Sequence, residues 1–95
     1  MANSRYNLSA AWKYLLSIKP GDGGYYGFDE FFENRGDKNA AKYLQCEINA
    51  EGLACLYCDD FFLEEIDRKK TAEAKKVLAS VFDDIVARRG EWSDC

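Results

Sequence analysis

Cys46, Cys55 and Cys58 fall within thirteen residues of one another, the last two as a CxxC, and Cys95 completes the set. Four thiols could ligate zinc, or a pair could cycle between thiol and disulfide. A tetrahedral zinc site needs four ligands converging on one point. Here the spacing is C-x8-C-x2-C-x36-C, histidine is absent, and no glycine or basic residue follows the CxxC to shape a knuckle. Asp59 and Asp60 follow instead. Nearby negative charge disfavours a thiolate, which argues against a nucleophilic redox cysteine.

The register of the surrounding chain bears on the same question. "KYLQCEIN" alternates Leu44, Cys46 and Ile48 with Gln45 and Glu47, the period of a half-buried strand. "NAEG" reads as a four-residue hairpin loop in which Gly52 supplies a left-handed residue, and "LACLYC" returns as an apolar strand. Such a loop sets Ile48 opposite Leu53 and therefore Cys46 opposite Cys55, and it sends Cys58 to the other face. Buried free cysteines behave as small hydrophobes, so the thiols are expected to be core residues, with a small thiol or zinc module as the alternative.

Other chemistries are limited by composition. Without histidine, Ser–His and Cys–His nucleophilic pairs are excluded. Asp59/Asp60, Glu64/Glu65 and Asp83/Asp84 are adjacent carboxylates, but general acid–base work needs them in a cleft with separated pKa values. "PGDGG" lacks the Lys-Ser/Thr of a phosphate-binding loop and the alternating acids of a calcium loop. The chain is expected to be non-catalytic, with no cofactor and no metal.

Charge gives the clearest direction. Residues 21–67 hold twelve acids against Arg35, Lys38 and Lys42, whereas residues 68–76 hold five basic residues against Glu73. The net charge of −4 is thus concentrated in an acidic middle, which repels nucleic acid and steers toward a basic partner. The basic run at 68–76 reads as a solvated helix face paired with Glu64, Glu65 and Glu73 rather than as a phosphate contact. Within the acidic segment, Tyr25, Tyr26, Asp29, Glu30 and Glu33 form one acid–aromatic group. Asp59, Asp60, Glu64 and Glu65, around Phe61 and Phe62, form a second. Aromatic anchors in a charged surround are the make-up of protein interfaces, so these nine acids and tyrosines are the candidate partner-binding residues. Most of the phenylalanines are expected to fill the core.

Ninety-five residues, 47% of them apolar, suit one domain spanning 1–95. Leu8, Ala11, Trp12, Leu15 and Leu16 fall on one helical face behind Asn7 as cap. Phe28, Phe31 and Phe32 suit a short acidic helix closed by Gly36. Ala74, Val77, Leu78, Val81, Phe82, Ile85 and Val86 form the stripe of a long C-terminal helix, capped by Thr71 and closed by Gly90. A further helical turn is expected in "DFFLEEIDRKK". The expected fold is α+β: N-terminal helix, short acidic helix, a β-hairpin alone or within a three-stranded antiparallel sheet, and the C-terminal helix. An all-α bundle is the alternative if residues 38–66 are helical. No apolar run approaches the ~20 residues of a membrane span, and the start lacks the apolar region of a secretory signal. The expected compartment is the cytoplasm of the producing or a host cell.

These features point to an acidic inhibitor that blocks a basic, nucleic-acid-handling protein surface. Immunity proteins and phage- or mobile-element-encoded anti-defence proteins are the type, acting as nucleic-acid mimics without binding nucleic acid or membrane. Self-association into a homodimer or larger structural oligomer through the exposed aromatics is the other alternative.

Overall fold

Asn7 begins the first helix as its sequence position suggests. Its side-chain oxygen accepts from the Ala10 N–H at 3.0 Å, satisfying one of the donors that a helix start leaves without a partner. In the computed structural model, which describes residues 5–19, 26–59 and 61–88, helix α1 (Leu8–Ser17) follows from that cap. Strand β1 (Tyr26–Gly27), a 3-10 helix (Asp29–Phe31), helix α2 (Arg35–Ala41), strands β2 (Leu44–Ile48), β3 (Ala54–Cys58) and β4 (Phe61–Ile66), and helix α3 (Thr71–Ala87) complete the order. The strands form one antiparallel sheet in the order β1-β2-β3-β4. Among the described residues, no helix is long and apolar enough to cross a membrane.

One face of the sheet carries the core. Leu44, Cys46 and Ile48 on β2, Ala54, Leu56 and Cys58 on β3, and Ile66 on β4 are all buried. Between them Gln45, Glu47 and Tyr57 on the opposite face keep partial exposure. Helix α3 packs on β4, α1 and α2 and brings Ala74, Leu78, Val81, Phe82 and Ile85 into the same core as Ala11, Trp12 and Leu15 of α1. Phe82 is the centre of an aromatic cluster, 4.7 Å from the Phe32 ring and 5.8 Å from Phe28. Tyr6 meets the Phe82 ring edge-on at 5.1 Å, the geometry that aromatic quadrupoles favour. The expectation that most phenylalanines fill the core is met by Phe28, Phe32 and Phe82, half of the six; Phe31 packs against the core only in part, and Phe61 and Phe62 stand exposed.

The α+β expectation stands, and four of its local details change. First, the aromatic segment makes a three-residue 3-10 helix, and Gly36 opens rather than closes a helix. The Asn34 side chain accepts from the N–H groups of Gly36 at 2.8 Å and Asp37 at 3.3 Å, so the chain is capped into α2. Second, residues 61–66 form a strand instead of a helical turn. β3 lies inside the sheet, so its backbone groups need ladder partners on both sides; β2 supplies one side and β4 the other. Third, that strand removes the helical pairing expected between Glu64, Glu65 and the basic run. Fourth, α3 starts with Lys70 in the cap position and Thr71 as its first helical residue. A turn built on Asp67, whose side chain accepts from Lys69 N–H at 3.0 Å, feeds the chain into it. The expected closure at Gly90 lies outside the described residues.

Arg68 joins the layers. Its Nη1 donates to the Leu15 carbonyl at 2.8 Å and the Ile18 carbonyl at 2.6 Å, and its Nε donates to the Gly52 carbonyl at 3.3 Å. Helix α1 has no basic residue in its own last turn. Arg68 thus brings positive charge and further donors to a helix end where, apart from the Ile18 N–H that reaches the Leu15 carbonyl at 3.4 Å, the terminal carbonyls are short of intrahelical partners. The same guanidinium holds the β2–β3 loop. Of the basic run, Arg68 is structural, and Lys75 lies 5.9 Å over the Trp12 ring.

Arg68→Ala is expected to lower the unfolding free energy by about 2–3 kcal/mol, since three backbone carbonyls lose a charged donor. Arg68→Lys should recover only part of this, because an ammonium cannot reproduce the fork. Lys69→Ala should stay within about 0.5 kcal/mol of the parent. Urea unfolding of the three variants checks the order, and equal midpoints for Arg68→Ala and Lys69→Ala would refute it.

Candidate functional site

The thiols are arranged differently from the expectation. The loop is three residues long, not four: Asn49 N–H donates to the Leu53 carbonyl at 3.0 Å, and Ile48 faces Ala54. The Asn49 side-chain oxygen takes the N–H groups of Glu51 at 2.9 Å and Leu53 at 3.0 Å, while Gly52 adopts φ 84°. This is a turn followed by a left-handed glycine, one of the favoured hairpin closures. One residue of register reverses the facing of the whole return strand. Cys46 therefore lies opposite Leu56, and Cys55 lies opposite Glu47. Cys46 and Cys58 share the core face, and Cys55 points to the other.

Cys46 and Cys55 are free thiols, whereas Cys58 is disulfide-bonded. Burial pushes the Cys46 thiol up to about 12, with smaller raising contributions from Cys55 and Glu47 against a lowering one from Arg68. Burial, followed by Glu65, Glu47 and Glu51, also raises Cys55. Both thiols are thus held protonated, as expected of packing residues rather than nucleophiles. No group of three or more Cys, Asp or Glu residues among those described converges as a metal site.

The N-terminal segment forms a second cluster. Residues 5–7 bridge to residues 31–33 through Asn7 N–H to Phe31 carbonyl at 2.8 Å and Glu33 N–H to Arg5 carbonyl at 3.0 Å. Arg5 extends over the fully buried Asp37 at the start of α2, 3.1 Å from its Oδ2. A buried carboxylate needs such a partner. Tyr6 Oη donates to Asp83 Oδ1 at 2.5 Å. Partial burial, then that bond and the Asp83 charge, push the Tyr6 phenol up to about 12. Arg5, Tyr6, Glu33 and Asp83 line a cleft of about 480 Å³. With its phenol held protonated, the cleft offers no base poised near neutral pH from that residue.

The third feature is the edge at β4. Among the described residues β4 pairs with β3 alone, and it is the end strand of the sheet. Phe61 and Phe62 are 69% and 50% exposed, and Glu64 and Glu65 are exposed beside them. The Phe62 ring meets Tyr57 of β3 edge-on at 5.8 Å, which steadies it on the open face of the sheet. A bulge between the Leu56 and Tyr57 pairings leaves Leu63 as the extra residue of β4. Leu63 and Glu64 face Val77, Val81 and Asp84 of α3 across a groove of about 230 Å³. A second groove of about 200 Å³, lined by Glu65, Asp67, Lys70 and Glu73 over Ile66 and Val77, also borders the β4–α3 junction.

The expected partner-binding residues divide accordingly. Glu64 and Glu65 are exposed on β4, and Asp59 is exposed in the preceding turn at φ 57°, its N–H bound to the Tyr43 carbonyl at 2.8 Å. Asp29 is half-buried and Glu30 exposed in the 3-10 helix, and Glu33 is exposed beside Arg5. Tyr26 belongs to β1, the sheet edge opposite β4. Tyr25 and Asp60 lie outside the described residues. The structure thus does not gather the two acid–aromatic groups into one patch around β4. Phe61 and Phe62, assigned above to the surround of the acids, are the exposed aromatic members of the second group. Two adjacent phenylalanines in a strand point to opposite faces, so one of them had to leave the core face.

Among the described residues the fold is an α+β domain with helices over one face of a four-stranded antiparallel sheet, and one surface feature it presents is an acidic, aromatic strand edge. No protein family model, curated protein or solved structure matches the chain.

Two measurements follow from the thiol and phenol geometry. Cys46 and Tyr6 hold their protons in the folded state to about 12, against ordinary values of 9.0 and 10.0. The unfolded chain releases those protons first, so the contribution of these two groups to stability is level below about pH 9 and is lost as pH rises toward 12. Urea midpoints across this window should drop less steeply in Cys46→Ala than in the parent, and parallel profiles would contradict the assignment. Metal analysis of protein purified without chelator should show no stoichiometric zinc; one zinc per chain would restore the thiol module.

Proposed function

We propose that the protein is a non-catalytic binding protein that covers a basic surface of a partner protein, with the β4 edge as its contact. The observation that carries this reading is the side-by-side exposure of Phe61, Phe62, Glu64 and Glu65 on one end strand. Large exposed aromatics supply the desolvated anchor of an interface, and the carboxylates around them select positive charge. Asp84, Glu73 and Asp67 extend the negative rim across the adjoining grooves. Against a protein that handles nucleic acid, these carboxylates would stand where phosphates bind. Such blocking is the work of an immunity protein or of a phage- or mobile-element-encoded anti-defence inhibitor acting in the cytoplasm. The thiol or zinc reading has less support, since Cys46 and Cys55 point to opposite faces of the sheet.

Affinity capture from a native host lysate tests the proposal. A specific partner should be retained at about 0.05 M salt and released as salt rises toward about 0.5 M, where exposed charges are screened within a few ångströms. Phe62→Ala should weaken retention by about tenfold or more while leaving the unfolding midpoint near the parent's, because the ring is half exposed. Retention indifferent to salt would remove the electrostatic premise, and full retention by Phe62→Ala would remove β4 as the contact.

A further inference from the structure

The β4 edge has a hydrogen-bonding surface as well as a charged one, and its orientation can be read from the ladder. Asn49 N–H bonds the Leu53 carbonyl and Asp59 N–H bonds the Tyr43 carbonyl, so the odd-numbered residues of β3 turn their backbone groups toward β2. Antiparallel alternation then turns those of Ala54, Leu56 and Cys58 toward β4. Their partners include Ile66 and Glu64, which leaves the N–H and C=O of Glu65 directed away from the sheet. No strand takes them up among the described residues.

Resting on the binding reading above, we propose that the partner contributes an extended segment in which basic and apolar residues alternate. This segment adds to β4 as a fifth strand. Strand addition takes its affinity from main-chain hydrogen bonds and its specificity from pockets for alternate side chains. Both are present here. An added strand lies about 4.8 Å beyond β4, and one set of its side chains then turns toward α3. The groove between Leu63, Val77 and Val81 receives an apolar member of that set. The other set lies on the open face, where Phe62 and Glu65 receive a Lys or Arg stem and its charge.

Charge selects this occupant over a second copy of the chain. The two grooves along the β4–α3 junction present Glu64, Glu65, Asp67, Glu73 and Asp84 against the single cation Lys70. Pairing two β4 strands would set Glu64 and Glu65 of both copies across one ladder, which like charge opposes.

The test uses a dye-labelled peptide of sequence Lys-Val-Lys-Val-Lys-Val-Lys and two analogues N-methylated on alternate residues, one on the valines and one on the inner lysines. Fluorescence anisotropy should show saturable, salt-sensitive binding of the parent. It should show loss of at least about tenfold for one analogue and near-parent affinity for the other, because only one set of N–H groups faces β4. Glu64→Gln and Glu65→Gln should each weaken the parent peptide by about two- to fivefold. On binding, the Glu65 amide should gain protection from hydrogen exchange. Equal binding of both analogues would overturn strand addition yet leave the acidic-surface reading intact. Absence of peptide binding would overturn it as well, and lysate capture would then decide the broader reading by itself. Concentration-dependent dimerisation through β4, seen as Glu65 amide protection without peptide, would replace the basic segment with a second copy.

Discussion

Arg68 is the interaction on which the arrangement depends. It sits where β4 ends and α3 is about to begin, and its guanidinium reaches the end of α1 and the loop between β2 and β3. Three elements far apart in sequence are thereby fixed at one corner. Without it the Ile18 carbonyl would lose its charged donor and the Leu15 carbonyl would keep only the Ile18 N–H, and nothing in the last turn of α1 supplies a cation there. A planar, permanently charged donor suits this place because it can serve several carbonyls at once. Arg68 lies two residues beyond Ile66, the last residue of β4, so the strand that the β3 ladder recruits ends at the same corner.

At the other side of the core, Phe82 and its aromatic neighbours set the packing of α3 over the sheet. The helices are used up on one face, and the strands on the opposite face keep Gln45, Glu47, Tyr57 and Phe62 in part exposed. Such a one-sided sheet is common for antiparallel strands, which tolerate water on one face. Its consequence here is that exposed aromatic area and negative charge coincide on the open face and along the β4 edge. The cleft around Tyr6 and Asp83 is instead occupied by its own ion pair and hydrogen bond, which tie the N-terminal segment to α2 and α3.

The thiols show how far a local misreading travels. Asn49 and Gly52 are good turn residues under either loop length, and the sequence alone did not separate a four-residue loop from a three-residue one. Gly52 does supply the left-handed position, but the Asn49–Leu53 hydrogen bond closes the loop one residue earlier than expected. That single step moves Cys55 to the opposite face from Cys46 and leaves Cys58 beside Cys46 on the core side. The inference that three thiols do not form one site survives, although for a different geometric reason.

By itself the sequence determined the elements whose period is long or whose turn chemistry is local. Helix α1 with its Asn7 cap, the body of α3, and the β2–β3 hairpin were all legible, because apolar spacing and a capping or left-handed residue act within a few positions. So was the acidity of the middle segment and the lack of histidine chemistry. Tertiary structure alone decided that "FFLEEI" is a strand, since its six residues have no clean period and the pairing groups of β3 are what recruit it. It also decided that Arg68 is an anchor, that Asp37 is buried under Arg5, and that Phe61 and Phe62 stand exposed. Each of these is set by partners many residues away, and no local pattern encodes which backbone carbonyls, carboxylates or strand edges will be left waiting for them.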